Sequence, residues 1–112
     1  MTGIAWPEHA PLRAEDLLPR LRKALAGRVA SAYLFGSVAG GNARPGSDLD
    51  LILVQNTTRS FFDRGQDFFD LFDLVQTGMD LLIYTPEEFA RLTSDPPPGF
   101  WRDVVKQLVR FI

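Results

Sequence analysis

Four consecutive apolar residues, Leu51-Ile52-Leu53-Val54, constrain the fold more than any other stretch of this sequence. A β-strand points alternate side chains to opposite faces of its sheet, so an unbroken apolar run predicts a strand that is covered on both faces. We expect this strand to extend from Asp48 to Val54 and to be a central strand. A chain of 112 residues has room for one core, so residues 1–112 are expected to form a single domain.

Apolar spacing elsewhere predicts further strands and helices around this central strand. Thr85, Pro86 and Glu88 have the pattern of an N-cap, a first helical proline and a capping-box acid. Strands interleaved with helices indicate an α/β (α+β) fold, a small mixed sheet of at least three strands flanked by helices. The other expected elements are an irregular lead-in at 1–13, strands at 29–35 and 79–84, helices at 15–27, 61–75 and 85–92, and a closing helix at 99–112.

Composition and charge exclude several classes of function. A net charge of -2 provides no positive field for a polyanion, so a nucleic-acid partner is disfavoured. The absence of cysteine excludes disulfides, thiolate zinc sites, iron-sulfur clusters and thiol nucleophiles. No apolar run reaches the roughly 18 to 20 residues of a membrane span, and no secretion signal is recognisable, so we expect a cytoplasmic protein without membrane contact.

Two carboxylates, Asp48 and Asp50, stand one residue apart at the start of the central strand. Alternation places both on the same face, about 7 Å apart, where they repel each other unless a cation lies between them. Asp80 begins the next predicted strand and reaches the same place if the two strands are neighbours. Three hard oxygen ligands suit Mg²⁺ or Mn²⁺. The alternative is that these aspartates are ordinary turn and cap residues.

A glycine-rich stretch, 36–47, precedes the paired aspartates. Gly36 allows the backbone to approach a ligand closely, and Ser37 offers a hydroxyl, so backbone N–H groups here can bind phosphate oxygens. Arg44 is a candidate cation for the same phosphates, with a solvated loop arginine as the alternative. Phosphate beside paired carboxylates is the arrangement that two-metal phosphoryl transfer requires.

The order of these residues also resembles a known family. Gly36-Ser37, ten residues, Asp48-Leu49-Asp50 and a third aspartate on a later strand are similar to the minimal nucleotidyltransferases of the DNA polymerase β-like superfamily. The resemblance extends over 33–84. It implies the fold of that superfamily, with ATP or another nucleoside triphosphate as substrate and two Mg²⁺ ions as cofactors.

The resemblance also implies a role for each matching residue. Gly36 and Ser37 would hold the triphosphate, and Ser47, in the Ser-Asp-Leu-Asp-Leu pattern typical of the family's strand start, is placed with them. Asp48 and Asp50 would bind the two magnesium ions. Asp80 would bind the catalytic ion and help to take the proton from the acceptor hydroxyl.

The reaction so implied is transfer of a nucleoside monophosphate, AMP from ATP, to a hydroxyl. Minimal nucleotidyltransferases are often paired with a helical HEPN toxin, which makes such a partner protein the expected acceptor; a homo-oligomer is the other expected assembly. Val38 and Gly40 stand where many relatives have arginine. The predicted helix 61–75 carries five phenylalanines, more than one stripe buries, so Phe62 and Phe69 are expected to form part of a partner surface. These features favour the first alternative, a non-catalytic antitoxin that neutralises its partner by contact. The second alternative is an aminoglycoside-type enzyme with a small-molecule acceptor.

Overall fold

The computed structural model describes residues 13–41, 48–75 and 78–112. The predicted lead-in therefore lies, except for its last residue, outside the described residues. Thr85 accepts a hydrogen bond from the backbone N–H of Glu88, and the Glu88 side chain accepts one from the N–H of Thr85, which confirms the predicted capping box. The elements are α1 (Ala14–Leu25), β1 (Ser31–Phe35), α2 (Gly36–Ala39), β2 (Leu49–Val54), a 3-10 helix (Phe61–Phe68), α3 (Asp70–Val75), β3 (Met79–Tyr84), α4 (Pro86–Ser94), α5 (Phe100–Gln107) and β4 (Val109–Arg110).

The strands form one mixed sheet in the order β3-β2-β1-β4. β2 pairs antiparallel with β1 and parallel with β3, and β4 pairs antiparallel with the other edge of β1. Helices flank this sheet. The predicted α/β (α+β) class, with a small mixed sheet and flanking helices, is confirmed.

β2 is the covered central strand that its apolar run predicts. Leu51 and Leu53 are fully buried in a core shared with α1 and α3. Ile52, which points to the opposite face, is fully buried in a second cluster with Trp101 of α5. Burial on both faces explains why no polar residue interrupts the run after Asp50.

Two predicted helices differ from those observed. The helix expected at 61–75 is divided at Phe69 into the 3-10 helix and α3. The guanidinium of Arg64, which is buried, donates to the backbone oxygens of Arg59 and Ile83, and this directs the first segment toward β3. The spacing of apolar residues along the chain does not indicate a contact between a side chain and a distant strand.

The closing helix expected at 99–112 is also shorter, because α5 ends at Gln107. The chain then becomes extended, and the backbone N–H of Phe111 donates to the oxygen of Ala32 in β1 at 2.9 Å. β4 thereby satisfies the free edge of β1, while the Phe111 side chain is buried in the main core. Across the described ranges, no helix combines the length and apolarity that a membrane span requires.

Candidate active site

Asp50 and Asp80 are brought together by the register of two parallel strands. They are direct partners in the pairing of β2 with β3, so both side chains point to the same sheet face. Partial burial is the largest cause that raises the pKa of Asp50 to about 6, and the Asp80 hydrogen bond and the charges of Asp80 and Asp48 add to it. The predicted meeting of these two acids is observed.

Asp48 lies at the same end of the two strands, directly before β2. The N–H of Leu49 donates to the oxygen of Gly78 at 2.9 Å, which holds this turn against the start of β3. A Cβ added to Gly78 would lie 2.0 Å from Oδ1 of Asp48. Position 78 therefore has to lack a side chain for the Asp48 carboxylate to occupy this place.

Gly36 closes the site on the opposite side of Asp50. It follows the last residue of β1, Phe35, which is the register partner of Asp50. The backbone of Gly36 has φ +75°, a left-handed conformation that favours glycine, and an added Cβ would lie 2.2 Å from Oδ2 of Asp50. The close approach predicted for this glycine is thus directed at a carboxylate of the site.

Ser37, in the first turn of α2, is half-buried and adjoins Gly36. The other two predicted nucleotide-binding residues, Arg44 and Ser47, lie outside the described residues. Val38, at the position where the resemblance leads us to expect arginine, is 2% exposed and belongs to the main core. A cation at this position would have to leave the core to reach a phosphate.

A cavity of about 630 Å³ opens beside Asp50 and Asp80. Its other lining side chains are apolar, and Phe69, Phe72 and Phe100 are among them. The sequence assigns Phe69 to a partner surface and places Phe72 in the core, whereas Phe72 is 40% exposed; it makes no assignment for Phe100. The surplus of phenylalanines on one helix is the signal that points to Phe72, whereas no local pattern connects Phe100 with the aspartates.

The donor set suits a hard divalent cation. Asp50 and Asp80 are register partners on one sheet face, and a cation between them would relieve the repulsion of their charges. Gly36 and Gly78 leave space at the Asp50 and Asp48 carboxylates that a Cβ would fill. Within residues 13–41, 48–75 and 78–112, no three His, Cys, Asp or Glu side chains are already clustered as metal ligands.

A family model described as "Polymerase beta, Nucleotidyltransferase" matches residues 20–110. The chain belongs to this nucleotidyltransferase family. The match includes the glycine turn and all three aspartates, and it confirms the resemblance to the minimal nucleotidyltransferases of the polymerase β-like superfamily.

Two solved structures have the same fold as this nucleotidyltransferase. One is a toxin-antitoxin complex with AMP-PNP, 19% identical with a TM-score of 0.58, and the match covers 88% of this chain and 73% of that chain. The other is a mutant of the toxin-antitoxin MntA-HpeT that carries two aspartate-to-glutamate substitutions. It is 16% identical with a TM-score of 0.54, and the match covers 88% of this chain and 71% of that chain. No curated protein matches the chain.

Proposed function

We propose that this nucleotidyltransferase moves AMP from ATP to a hydroxyl group of a partner protein in a Mg²⁺-dependent reaction. The observation that carries the proposal is the in-register pairing of Asp50 with Asp80, with Gly36 closed against Asp50. Family membership supports the reaction class, and the AMP-PNP complex of one structural neighbour supports an adenine nucleotide.

Each site residue then has a distinct role. Gly36 and Ser37 hold the triphosphate through the backbone and a hydroxyl, and the sequence pattern assigns Arg44 and Ser47 to the same task. Asp48, Asp50 and Asp80 would hold two Mg²⁺ ions, which supply charge stabilisation at the transferring phosphoryl group. Val38 makes no phosphate contact in this scheme because its side chain is buried in the core.

The transfer balances as an in-line displacement at the α-phosphorus of ATP. The acceptor oxygen forms the new bond to phosphorus, the bond to the bridging oxygen of the β-phosphate breaks, and pyrophosphate leaves. Asp80, an exposed residue of β3, takes the hydroxyl proton in this scheme.

Toxin-antitoxin systems provide the most specific candidate for the partner. Both structural neighbours are toxin-antitoxin proteins, so we infer that this chain is an antitoxin whose acceptor is a toxin of the HEPN type. Transfer of AMP to that toxin would silence it. A second copy of this chain is the other acceptor to be tested.

Buried Val38 favours a second candidate function, a non-catalytic antitoxin that acts by contact. With that position in the core, the phosphate site relies on fewer cations than in relatives that carry arginine there. Such a protein would bind its toxin tightly and leave it unmodified. A small-molecule acceptor of the aminoglycoside type is a third possibility, which the same experiment addresses.

The test follows label from α-labelled ATP in the presence of Mg²⁺ and a HEPN partner, a second copy of the chain or an aminoglycoside. We expect wild type to label the partner and the Asp48→Asn/Asp50→Asn variant to lose this transfer. Asp73→Asn/Asp103→Asn, which changes two exposed acids away from the site, is the matched control and should retain it. A tight complex that never acquires label would instead establish contact as the mechanism, and label on the aminoglycoside alone would establish the small-molecule reaction.

A further inference from the structure

The strand order places Gly36 and Asp80 on opposite sides of Asp50. Gly36 directly follows β1, Asp50 lies in β2, and Asp80 lies in β3 at the edge of the sheet among the described strands. In phosphoryl transfer the attacking and leaving oxygens lie roughly in line on opposite sides of phosphorus. With the triphosphate over Gly36, the acceptor hydroxyl therefore has to approach from the β3 side.

The cavity provides an apolar surface on that side. Most of its lining residues belong to β3 or to the stretch 65–72, which runs from the 3-10 helix into α3, and Asp50 and Asp80 are among the lining residues. Phe69 is 66% exposed and Phe72 is 40% exposed, although both line the cavity. Adjacent large apolar side chains that face water are typical of contact surfaces, and aromatic residues are enriched in the cores of protein interfaces.

We propose that this cavity binds the acceptor as a polypeptide segment in which a hydroxyl residue is flanked by apolar side chains. The inference rests on the proposed function, since it identifies the substrate class of the same site. Phe69 and Phe72 would remove the flanking side chains from water, and this contact directs the hydroxyl toward Asp80. A polycationic or polyhydroxylated small molecule would gain little from such walls, because the carboxylates that line the cavity are the two of the catalytic pair.

Synthetic peptides test the proposal without a natural partner. One set has serine, threonine or tyrosine between leucines and valines, and a matched set has the same residue between glutamates and lysines. Fluorescence anisotropy of dye-labelled peptides measures binding to the full chain. Label transfer from α-labelled ATP with Mg²⁺ measures reaction, and AMP-PNP affinity is measured separately. The proteins are wild type, Phe69→Ala, Phe72→Ala and the control Phe62→Ala, which removes a more exposed phenylalanine that does not line the cavity.

We expect wild type to bind and label the apolar set in preference to the charged set. Phe69→Ala and Phe72→Ala should weaken peptide binding and raise KM for the peptide by about tenfold, as when an aromatic contact residue is truncated. The same variants should leave AMP-PNP affinity unchanged, and Phe62→Ala should change neither quantity.

Four results would overturn the inference. If wild type binds both peptide sets equally well, or binds neither set, the cavity has no selectivity for apolar segments. A loss of AMP-PNP affinity in Phe69→Ala or Phe72→Ala makes the cavity part of the nucleotide site. An equal loss in Phe62→Ala shows general surface hydrophobicity, and label on an aminoglycoside in place of peptides shows a small-molecule acceptor. Phe69-dependent binding of apolar peptides without label in any protein would leave the inference standing and refute the proposed transferase reaction.

Discussion

A methyl group at position 36 should damage the site far more than it damages the fold. Gly36 has φ +75° and Gly41 has φ +74°, so alanine at either position is strained by about the same 1–2 kcal/mol. The surroundings differ, because an added Cβ meets Asp50 Oδ2 at 2.2 Å in Gly36→Ala and meets nothing within 4 Å in Gly41→Ala. This pair of variants separates backbone strain from the contact with the carboxylate.

The geometry sets the size of the expected effect. An ordinary contact begins at 3.4 Å, so the Asp50 oxygen has to move by about 1 Å or more in Gly36→Ala. A misplacement of about 1 Å at a reacting centre costs on the order of 100-fold in rate. We therefore expect similar free energies of unfolding for the two variants, and a transfer rate about 100-fold lower in Gly36→Ala than in Gly41→Ala.

Urea denaturation and label transfer from α-labelled ATP to the partner protein measure these two quantities, and AMP-PNP affinity reports whether nucleotide binding changes with them. Equal transfer rates in the two variants would refute the idea that Gly36 shapes the site through Asp50. A much larger loss of stability in Gly36→Ala would show that the contact belongs to the fold.

Three further predictions address other contacts of the chain. Gly78→Ala should displace the Asp48 carboxylate, since its Cβ would lie 2.0 Å from Oδ1, and lower Mg²⁺-dependent transfer in the label assay. Asp50→Asn should abolish transfer and raise the free energy of unfolding at pH 7 by about 1 kcal/mol, measured by urea denaturation, because it removes the acid whose pKa the site raises. Glu88→Ala should lower that free energy, because the 8% exposed Arg64 side chain loses its carboxylate partner at 2.6 Å. We expect a loss of about 2–3 kcal/mol, a value between the usual effects of breaking an exposed and a buried ion pair.

Glu88 also predicts a pH dependence of stability. Hydrogen bonds from Arg64 and from the backbone of Thr85 lower the pKa of Glu88. The contribution of the Glu88 carboxylate to the free energy of unfolding should be complete above the ordinary pKa of a glutamate. It should be lost as the pH falls through the lowered pKa of Glu88 in the folded protein. Urea denaturation of wild type and Glu88→Ala at pH values from about 3 to 7, where carboxylates usually titrate, measures this contribution. A difference in free energy of unfolding that stays constant across that range would contradict the prediction.

Controls for these variants are available in the same chain. Gly27→Ala changes a glycine outside the cavity and introduces a Cβ that meets nothing within 4 Å, so it is a control for Gly78→Ala without the carboxylate contact. Glu87→Ala removes an exposed acid from the same helix turn as Glu88 and should change stability little. If Gly27→Ala lowered transfer as much as Gly78→Ala, the effect of position 78 would not come from Asp48.

Local patterns predict the central strand and its acids because alternation and turn chemistry depend on neighbouring residues. The apolar run 51–54 indicates burial on both faces wherever the strand lies in the sheet. Gly36 and the paired aspartates are similarly recognisable from their spacing. The division of helix 61–75 was not predictable in this way, since the buried Arg64 guanidinium binds the backbone of Ile83 in β3.

The sequence by itself therefore determined the class of the fold, its central strand and the acids that start it, because each depends on residues within a few positions of one another. Only the tertiary structure decided that Asp80 is the register partner of Asp50 and that Phe100 lines the same cavity as both. Those residues lie 20 to 50 positions apart in the sequence, and their meeting depends on strand register and helix packing over the whole core. Contacts between distant segments produce no pattern among neighbouring residues, whereas burial and turns do.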